Sequence, residues 1–405
     1  MKKRKSNQVT NILFTIIITS LVTLIITILV LISNGYLETN YSSKGYTGNK
    51  FNKLSNKLAL IKGIINKDYI DNNVDENELE EYAVKGYVAG LGDIYSSYYT
   101  EDEMKQLMEE TTGNYCGIGV YMTIDQEAKL IKIYSVMANT PAEEVGLQAG
   151  DYIVKVEGQD MTSDDFDTIA KKIKGEENTK VKLTIRRNGV DKDYEITRKK
   201  VEVVNVSSQV LDNNIGYIEI KSFDGNVAEQ FKNEYDKLAK SGITSLIVDV
   251  RNNGGGVVDQ ATQIGDLFTD KDQVLLIQKD NKSNEEYIKA KKDKTIDMNV
   301  VLLVNENSAS ASEIFAGILQ DDVEKTTIVG TKTYGKGVIQ SVLQLSDGSG
   351  LKLTTNEYCT PKHNKINKIG ITPDVIVDDY SYTGELDLEK DTQLKKAMEI
   401  LNQKK

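Results

Sequence analysis

The residues most able to do chemistry are three serines that alternate with alanines. Ser308, Ser310 and Ser312 lie in NENSASASEIFAGIL, residues 305–319, directly after the apolar run VVLLV and before a predicted helix. A hydroxyl at a strand-to-helix turn is held rigidly, and N–H groups at a helix start face developing negative charge. The segment therefore favours a serine nucleophile, although helix capping by serine would explain the same residues without any chemistry.

A serine nucleophile needs a base, and the chain offers two kinds. His363, its one histidine, lies in the polar segment TPKHNKINK. The other candidate is Lys336 in GTKTYGKGVIQ, with Gly335 and Gly337 on either side. Glycines permit the tight backbone that buries a lysine, and burial lowers the pKa of an amine because it disfavours the charged form. We expect Lys336 to be the general base, and a triad built on His363 is the alternative.

A glycine-rich turn follows another apolar run. LIVDVRNNGGGVVDQ, residues 246–260, predicts a buried strand that ends in a polar turn at Gly254, Gly255 and Gly256. Such a turn exposes backbone N–H groups without obstruction by side chains. It could supply one arm of an oxyanion hole, and a plain strand-to-helix loop is the alternative interpretation.

The lysine segment also matches the start of a phosphate-binding loop. Gly330, Gly335 and Lys336 have the required spacing, and the aspartate of LIVDV could hold a metal. However, Gly337 stands where Ser or Thr should bind magnesium. An NTPase is therefore the weaker hypothesis.

The remaining sequence predicts the elements that position these residues. Residues 113–201 are short β-rich runs with brief helices near 142–145 and 166–173, which indicates a compact binding module. Its loop of Gly117, Ile118, Gly119 and Val120 has N–H groups that could cradle a carboxylate, and the next strand edge could pair with a peptide. After 201, the apolar runs NIGYIEI, SLIVDVR, NVVLLV and TTIVG alternate with helices, as in an α/β layer. The stretch LEKDTQLKKAMEILNQKK, residues 388–405, predicts an amphipathic helix, and the C-terminal helical segment is placed at 381–405.

The N-terminus decides the expected compartment. Four basic residues precede the uncharged apolar run 12–32, which would span about 30 Å as a helix. No A-x-A-like site follows, so an uncleaved anchor is expected rather than a signal peptide. Basic residues flanking a membrane span stay on the cytoplasmic side, so residues 1–11 should be cytoplasmic. The chain after residue 32 should then be extracytoplasmic, held at the cell membrane. Polar residues 33–50 then predict a linker, and 51–112 a small helical packing unit in which Tyr95, Tyr98 and Tyr99 lie between helices.

Composition excludes several other classes of function. The formal net charge is -11, and a surface this acidic disfavours nucleic acid, which binds basic patches. The two cysteines, Cys116 and Cys359, form no CxxC motif, so neither a cysteine-based zinc site nor a disulfide framework is expected.

Together these motifs resemble the C-terminal processing peptidases of family S41, also called tail-specific proteases. SASASEI followed by GKGVIQ carries the resemblance most specifically, and it extends from about residue 55 to 400. GIGV with TPAEEVGLQAGDYIVKVEG looks like the PDZ domain of that family. The resemblance implies a mixed α/β and α+β multidomain protein, with a PDZ domain at 113–201 and a ClpP/crotonase-like α/β core at 202–380.

The resemblance also implies a Ser-Lys dyad that needs no metal and no cofactor. Ser310 matches the family nucleophile, Lys336 the base, and Gln340 the glutamine that orients the lysine. The implied oxyanion hole uses backbone N–H groups of Ala311 and of Gly255 or Gly256.

The expected function is that of a membrane-anchored serine endopeptidase that captures protein C-termini in the loop at 117–120. Its expected partners are protein substrates and, through one helix, the membrane; a homo-oligomer or a regulatory partner is left open. The alternative is a catalytically silent, anchored binding protein. The intact set of Ser310, Lys336 and Gln340 argues against that alternative.

Overall fold

The structure is a computed structural model that describes residues 49–71, 73–378 and 387–403. The chain divides into two compact units: one runs to Gly90 and includes 344–348, and the other holds 91–343 and 349–405. The anchor predicted at 12–32 lies outside the described residues. Among the helices that are described, none combines the length and the apolar character needed to cross a membrane.

The described residues of the first unit form two helices, α1 (Asn49–Asp68) and α2 (Glu76–Ala89). The carboxylate of Asp75 caps α2 by accepting the N–H groups of Asn77 and Glu78. The helical prediction for this stretch is confirmed. The predicted packing is not made within the described part of this unit, because these apolar side chains of α1 are exposed: Leu54, Leu58, Leu60, Ile61 and Ile64.

The second unit opens with strand β1 (Ser97–Tyr99) and helix α3 (Glu101–Thr112). Thr100 caps α3, and the Glu103 carboxylate accepts the N–H of Thr100 in return, which completes a capping box. The tyrosines predicted to lie between helices follow α2 and precede α3, and Tyr98 and Tyr99 belong to β1. That strand pairs antiparallel with β18 (Gly350–Cys359), far along the chain.

The β-rich module is a six-stranded sheet with the order β3-β4-β5-β7-β8, and β6 is paired with β5. Its buried cluster includes Ile118, Ile131 and Ile153. The predicted run at 115–124 is split into two strands, because Ile118 points into the core and Gly119 has a positive φ of 83°. The elements are β2 (Asn114–Gly117), β3 (Val120–Asp125), β4 (Leu130–Val136), α4 (Pro141–Glu144), β5 (Tyr152–Val156), β6 (Gln159–Asp160), α5 (Phe166–Ile173), β7 (Lys180–Arg187), β8 (Val190–Thr197) and β9 (Lys199–Glu202), which pairs with β2.

The four apolar runs after 201 become neighbouring strands of one sheet, with the order β10-β11-β12-β15-β16-β19. All its pairs beyond β10-β11 are parallel, as predicted for an α/β layer. Leu246 and Val248 pack into the core on one face, and Ile247 packs into the core on the other. The elements are β10 (Val206–Leu211), β11 (Ile215–Ile220), α6 (Val227–Lys240), β12 (Ser245–Asp249), α7 (Val258–Gly265), β15 (Asn299–Val304), α8 (Ala311–Asp322), β16 (Thr326–Gly330), β19 (Val375–Ile376) and α9 (Thr392–Gln403).

A second sheet of this unit has the order β1-β18-β13-β14, with β17 also paired with β18. Its other strands are β13 (Val274–Asp280), β14 (Glu285–Lys289) and β17 (Val338–Gln344). The C-terminal helix begins at Thr392, after the residue Asp391, rather than within 381–391 as predicted; residues 381–386 lie outside the described ranges.

Candidate active site

Ser310 lies at the junction between the buried strand β15 and helix α8, where it precedes the first helical residue. Its backbone has φ 55° and ψ -114°, a conformation that a residue with a side chain rarely adopts. Such strain costs about 1–3 kcal/mol and persists only where the surroundings impose it. Ser310 is 9% exposed, so a small part of the residue reaches solvent.

The two neighbouring serines hold the loop in place. Ser308 Oγ donates to the carbonyl of Val250 at 2.8 Å, and Ser312 Oγ donates to the carbonyl of Asn253 at 2.9 Å. The Ala309 N–H also donates to Asn253 O, at 3.0 Å. These bonds join the serine loop to the glycine-rich turn, and they leave Ser310 as the serine whose position suits a nucleophile.

A buried carboxylate connects the serine loop to the lysine loop. Glu313, in the first turn of α8, is fully buried. Its Oε2 accepts the N–H groups of Ser310 at 2.9 Å and of Lys336 at 2.8 Å. Its Oε1 accepts the Gly335 N–H at 2.7 Å and the Thr333 hydroxyl at 2.6 Å. Four donors satisfy the buried charge, so the carboxylate fixes both loops at once.

The same contacts argue against a phosphate-binding loop. In such a loop the backbone N–H groups around the lysine point at phosphate oxygens. In this chain the N–H groups of Gly335 and Lys336 are bound to the Glu313 carboxylate instead. A second anion at that position would be repelled, so the NTPase hypothesis has no geometric support.

Tyr358 on β18 makes a second connection between the two loops. Its buried hydroxyl lies within hydrogen-bonding reach of the backbone carbonyls of Ser310, at 3.1 Å, and Lys336. Burial, together with the charge of Glu313, raises the pKa of Tyr358, so the hydroxyl stays protonated and can donate. The sequence analysis missed both Glu313 and Tyr358. The capping-box spacing of Ser310 and Glu313 could have indicated the first, whereas NEYC carries no signal for the second.

Lys336 is half-buried, which agrees with the expectation from its flanking glycines. A Cβ on Gly337 would lie 2.2 Å from the Asn367 backbone nitrogen, and Gly335 has a φ of 91°. Burial lowers the pKa of Lys336, and the charge of Lys352 lowers it further; the carboxylates of Glu313 and Asp93 oppose the change. A larger fraction of the amine is therefore neutral near pH 7 than for an exposed lysine.

Gln340 lies on β17, four residues after Lys336. Its amide Nε2 donates to the Thr354 hydroxyl at 3.2 Å, across to β18. The role expected for Gln340, which is to orient Lys336, stays a prediction.

The glycine-rich turn packs directly against the serine loop. A Cβ on Gly255 would lie 2.7 Å from the Cβ of Ser310 and 3.0 Å from the nitrogen of Ala311, so only glycine fits. The Gly255 N–H donates to Asn253 Oδ1 at 2.9 Å. Gly256 packs against Phe223 instead, where a Cβ would lie 2.6 Å from the Phe223 carbonyl carbon. Of the two glycines, Gly255 is the one beside Ser310; the assignment of the oxyanion donors stays a prediction.

A buried ion-pair network holds the base of this turn. The Arg251 side chain is fully buried and binds Asp249 at 2.6 Å and Asp391 at 2.7 Å. Tyr217 also donates to Asp249, at 2.8 Å. Asp391 in turn accepts the N–H of Leu394 at the start of α9. The C-terminal helix is therefore tied to the residue that immediately precedes the turn at 252–256.

The loop at 117–120 of the β-rich module, which is predicted to bind a carboxylate, is held in place by hydrogen bonds to its backbone carbonyls. The Ile118 carbonyl accepts the Ala142 N–H at 2.8 Å, and the Gly119 carbonyl accepts the Met137 N–H at 3.0 Å. Gly117 ends β2, and Val120 begins β3, which is an edge strand of its sheet. An edge strand can accept an added peptide strand.

His363, the alternative base, lies in an exposed turn. Its ring centroid is 6.4 Å from that of Tyr287 on β14. The structure joins Ser310 to the lysine loop through Glu313 and Tyr358, and among the residues it describes there is no corresponding connection to His363. The geometry therefore favours Lys336 among the two candidate bases.

Comparisons with known proteins identify the family to which the chain belongs. Residues 214–377 match the model of peptidase family S41, and residues 132–187 match a PDZ domain model. The chain is 37% identical over 329 residues to a "Probable CtpA-like serine protease" of Staphylococcus haemolyticus. The aligned region covers 80% of this chain and 65% of the relative. A protein of the same name from Staphylococcus saprophyticus is 36% identical, with 80% and 66% covered. The chain thus spans slightly less than two thirds of the length of these relatives.

A solved structure shares the fold. The crystal structure of a "Putative S41 protease" from Bacteroides fragilis matches with a TM-score of 0.50 and 17% sequence identity. The match covers 85% of this chain and 97% of that one. At this identity the likeness concerns the fold alone.

Proposed function

Because this chain belongs to peptidase family S41 and carries a PDZ domain, we propose that it is a serine endopeptidase of the C-terminal processing type. One observation carries the proposal. The Glu313 carboxylate and the Tyr358 hydroxyl hold the backbones of Ser310 and Lys336 together, while burial lowers the pKa of Lys336. A catalytically silent binding protein would have no use for this arrangement.

The chemistry is acyl transfer from the substrate to Ser310. The neutral Lys336 amine accepts the proton of Ser310 Oγ as that oxygen attacks the scissile carbonyl. The Ala311 N–H, at the start of α8, donates to the oxyanion that develops. Gly255 packs beside Ser310, but its own N–H is bound to Asn253 Oδ1. When the C–N bond breaks, the Lys336 ammonium returns the proton to the leaving amine. Water, deprotonated by the same amine, then hydrolyses the acyl ester and regenerates the Ser310 hydroxyl.

We place recognition of the substrate C-terminus in the PDZ domain. A terminal carboxylate would bind the N–H groups of the loop formed by Gly117, Ile118, Gly119 and Val120, and the residues before it would pair with the edge strand β3. Two observations support this: the loop carbonyls are turned to Met137 and Ala142, and β3 pairs with β4 alone within its sheet.

The test compares two forms of one loosely folded substrate protein, with apolar terminal residues and either a free carboxylate or a carboxamide at its end. The amide lacks the charge that strengthens hydrogen bonds to N–H groups, so we expect kcat/KM to fall by about 10–100-fold. The Ser310→Ala variant serves as the control for contaminating proteases. Equal rates for both substrates would refute recognition of the C-terminus and leave the peptidase assignment intact.

We also propose that the chain is anchored in the cell membrane by residues 12–32, with the peptidase outside. The uncharged run and the basic residues before it support this orientation. In intact cells an external protease should digest the peptidase domain, and alkaline washing should leave the chain in the membrane fraction. Release of the chain by alkaline washing would refute the anchor.

A further inference from the structure

A tyrosine from outside the family-matched regions lies on the candidate base. The ring centroid of Tyr95 is 4.7 Å from Lys336 Nζ. Tyr95 precedes β1 and the PDZ domain, whereas Lys336 belongs to the peptidase domain, so 241 positions separate them in the sequence. The ring is partly buried, and its hydroxyl is hydrogen-bonded to the side chain of Tyr334, two residues before Lys336.

The chain around Tyr95 is anchored on both sides. Asp93 accepts the Tyr95 N–H at 3.2 Å and the Ser96 hydroxyl at 2.6 Å. Ser96 Oγ then accepts the N–H of Thr354 at 3.0 Å, and Thr354 also bonds to the Asp93 carboxylate. Directly after Ser96, strand β1 pairs with β18. Thr354 also accepts a hydrogen bond from the Gln340 amide. The turn that carries Tyr95 is therefore bound to the same residue of β18 as Gln340.

We propose that Tyr95 is a further catalytic residue, whose ring covers the Lys336 amine and excludes the water that would otherwise keep it protonated. This inference rests on the proposed function, because it assigns Tyr95 a part in the same proton transfer.

Two opposing effects of the ring must be weighed. The face of an aromatic ring attracts an ammonium group, which favours the protonated amine by about 2-fold to 30-fold. Removal of water disfavours the charged form, by about a thousandfold or more when a lysine is fully buried. The pKa of Lys336 is lowered, with burial as the leading cause. We therefore expect the loss of hydration to outweigh the attraction of the ring, and the variants below test that balance.

The charged groups near the amine change its pKa through their charges and not by excluding water. Glu313 and Asp93 carry negative charge and favour the ammonium form, whereas Lys352 on β18 opposes it. Tyr358 is a neutral phenol near pH 7, because burial raises its pKa. Tyr95 is neutral as well, since burial and the hydrogen bond to Tyr334 raise its pKa. A change at Tyr95 therefore alters the hydration of Lys336 without altering the charges around it.

The test measures the protonation of Lys336 directly, in the full-length chain with Ser310→Ala. Reductive methylation is followed at several pH values, and the modified Lys336 peptide is quantified by mass spectrometry. The labelling midpoint should rise by about one pH unit with Tyr95→Ala, which admits water. It should stay at or below the original value with Tyr95→Leu, which restores an apolar cover, and Tyr95→Phe should match the parent.

A matched control is present in the β-rich module. Tyr194 covers Lys192 at 4.8 Å, so Tyr194→Ala should leave the Lys336 midpoint unchanged. An unchanged midpoint in Tyr95→Ala would overturn the proposal, and so would equal shifts in the Ala and Leu variants. With Ser310 intact, the acid limb of kcat/KM should move with the midpoint. The labelling needs no proteolysis, so a chain without peptidase activity would refute the proposed function separately.

Discussion

Replacement of Lys336 by methionine is expected to lower kcat/KM by about 10²–10⁴-fold, the range usual for loss of a general base. Methionine keeps the apolar stem within the half-buried site but has no group that can accept the proton of Ser310. Wild-type and variant proteins would be compared by the rate of disappearance of an unfolded substrate protein, measured by mass. Their thermal unfolding midpoints should agree, because the Glu313 carboxylate holds the backbone, and not the side chain, of residue 336.

Lys336→Arg is the control that separates a base from a charge. Arginine keeps the positive charge but cannot be deprotonated in proteins, so we expect it to be as inactive as methionine. In the wild type, the lowered pKa of Lys336 has a definite sign: activity should be lost as the pH falls below that pKa and recover as it rises. Substantial activity in Lys336→Arg would exclude Lys336 as the base.

Replacement of Arg251 by methionine should lower the free energy of unfolding of the second unit by about 3–5 kcal/mol. The Arg251 guanidinium is the buried cation between Asp249 and Asp391, and its loss leaves two buried carboxylates facing each other. Burial alone would lower the pKa of Arg251, but Asp249 and Asp391 raise it above its usual value. The charge of the guanidinium therefore depends on these two carboxylates. Denaturant unfolding followed by circular dichroism would measure the change.

The matched control lies on the same C-terminal helix. Glu399 forms an ion pair with Lys396 at 2.9 Å on the exposed side of α9. Exposed pairs contribute little, so Glu399→Ala should leave the unfolding transition unchanged. If Arg251→Met were as stable as Glu399→Ala, the network would not hold the helix to the turn. Because Arg251 directly precedes the glycine-rich turn, its loss should also reduce peptidase activity at temperatures where the protein stays folded.

Long, strongly patterned segments were predictable from the sequence. The apolar runs of β11, β12, β15 and β16 are buried on both faces of a parallel sheet, so they read as continuous hydrophobic stretches. The start of α3 at Thr100 followed from its capping residue, and the helical periodicity identified α1 and α2. These signals are local, which is why a single sequence contains them.

The second sheet was not predictable in the same way. Strands such as EEYIK of β14 and LKLTTNEYC within β18 are largely polar, because they are partly exposed. The pairing of β1 with β18 joins segments more than 250 positions apart, and no local pattern reports such a contact. The tyrosines of β1 therefore looked like residues between helices.

The sequence pattern pointed to Ser310 and Lys336 as candidate site residues, but it did not point to Glu313 and Tyr358, which hold their loops together. Ser310 and Lys336 stand out by their neighbours, since alanines and glycines leave room around them. Glu313 and Tyr358 act through contacts that exist only after folding, with partners 23 and 48 positions from them. A glutamate in an apolar helix would ordinarily be placed on the surface, so its burial follows only from the four donors that converge on it.

The most direct test of the central claim is a time course with the full-length chain and its Ser310→Ala variant. Each is incubated with a loosely folded protein that ends in apolar residues, and the intact mass of that protein is followed. We predict that the wild type shortens the substrate and that Ser310→Ala leaves it intact under identical conditions. Cleavage at the same sites and rate by Ser310→Ala would contradict the assignment of Ser310 as the nucleophile.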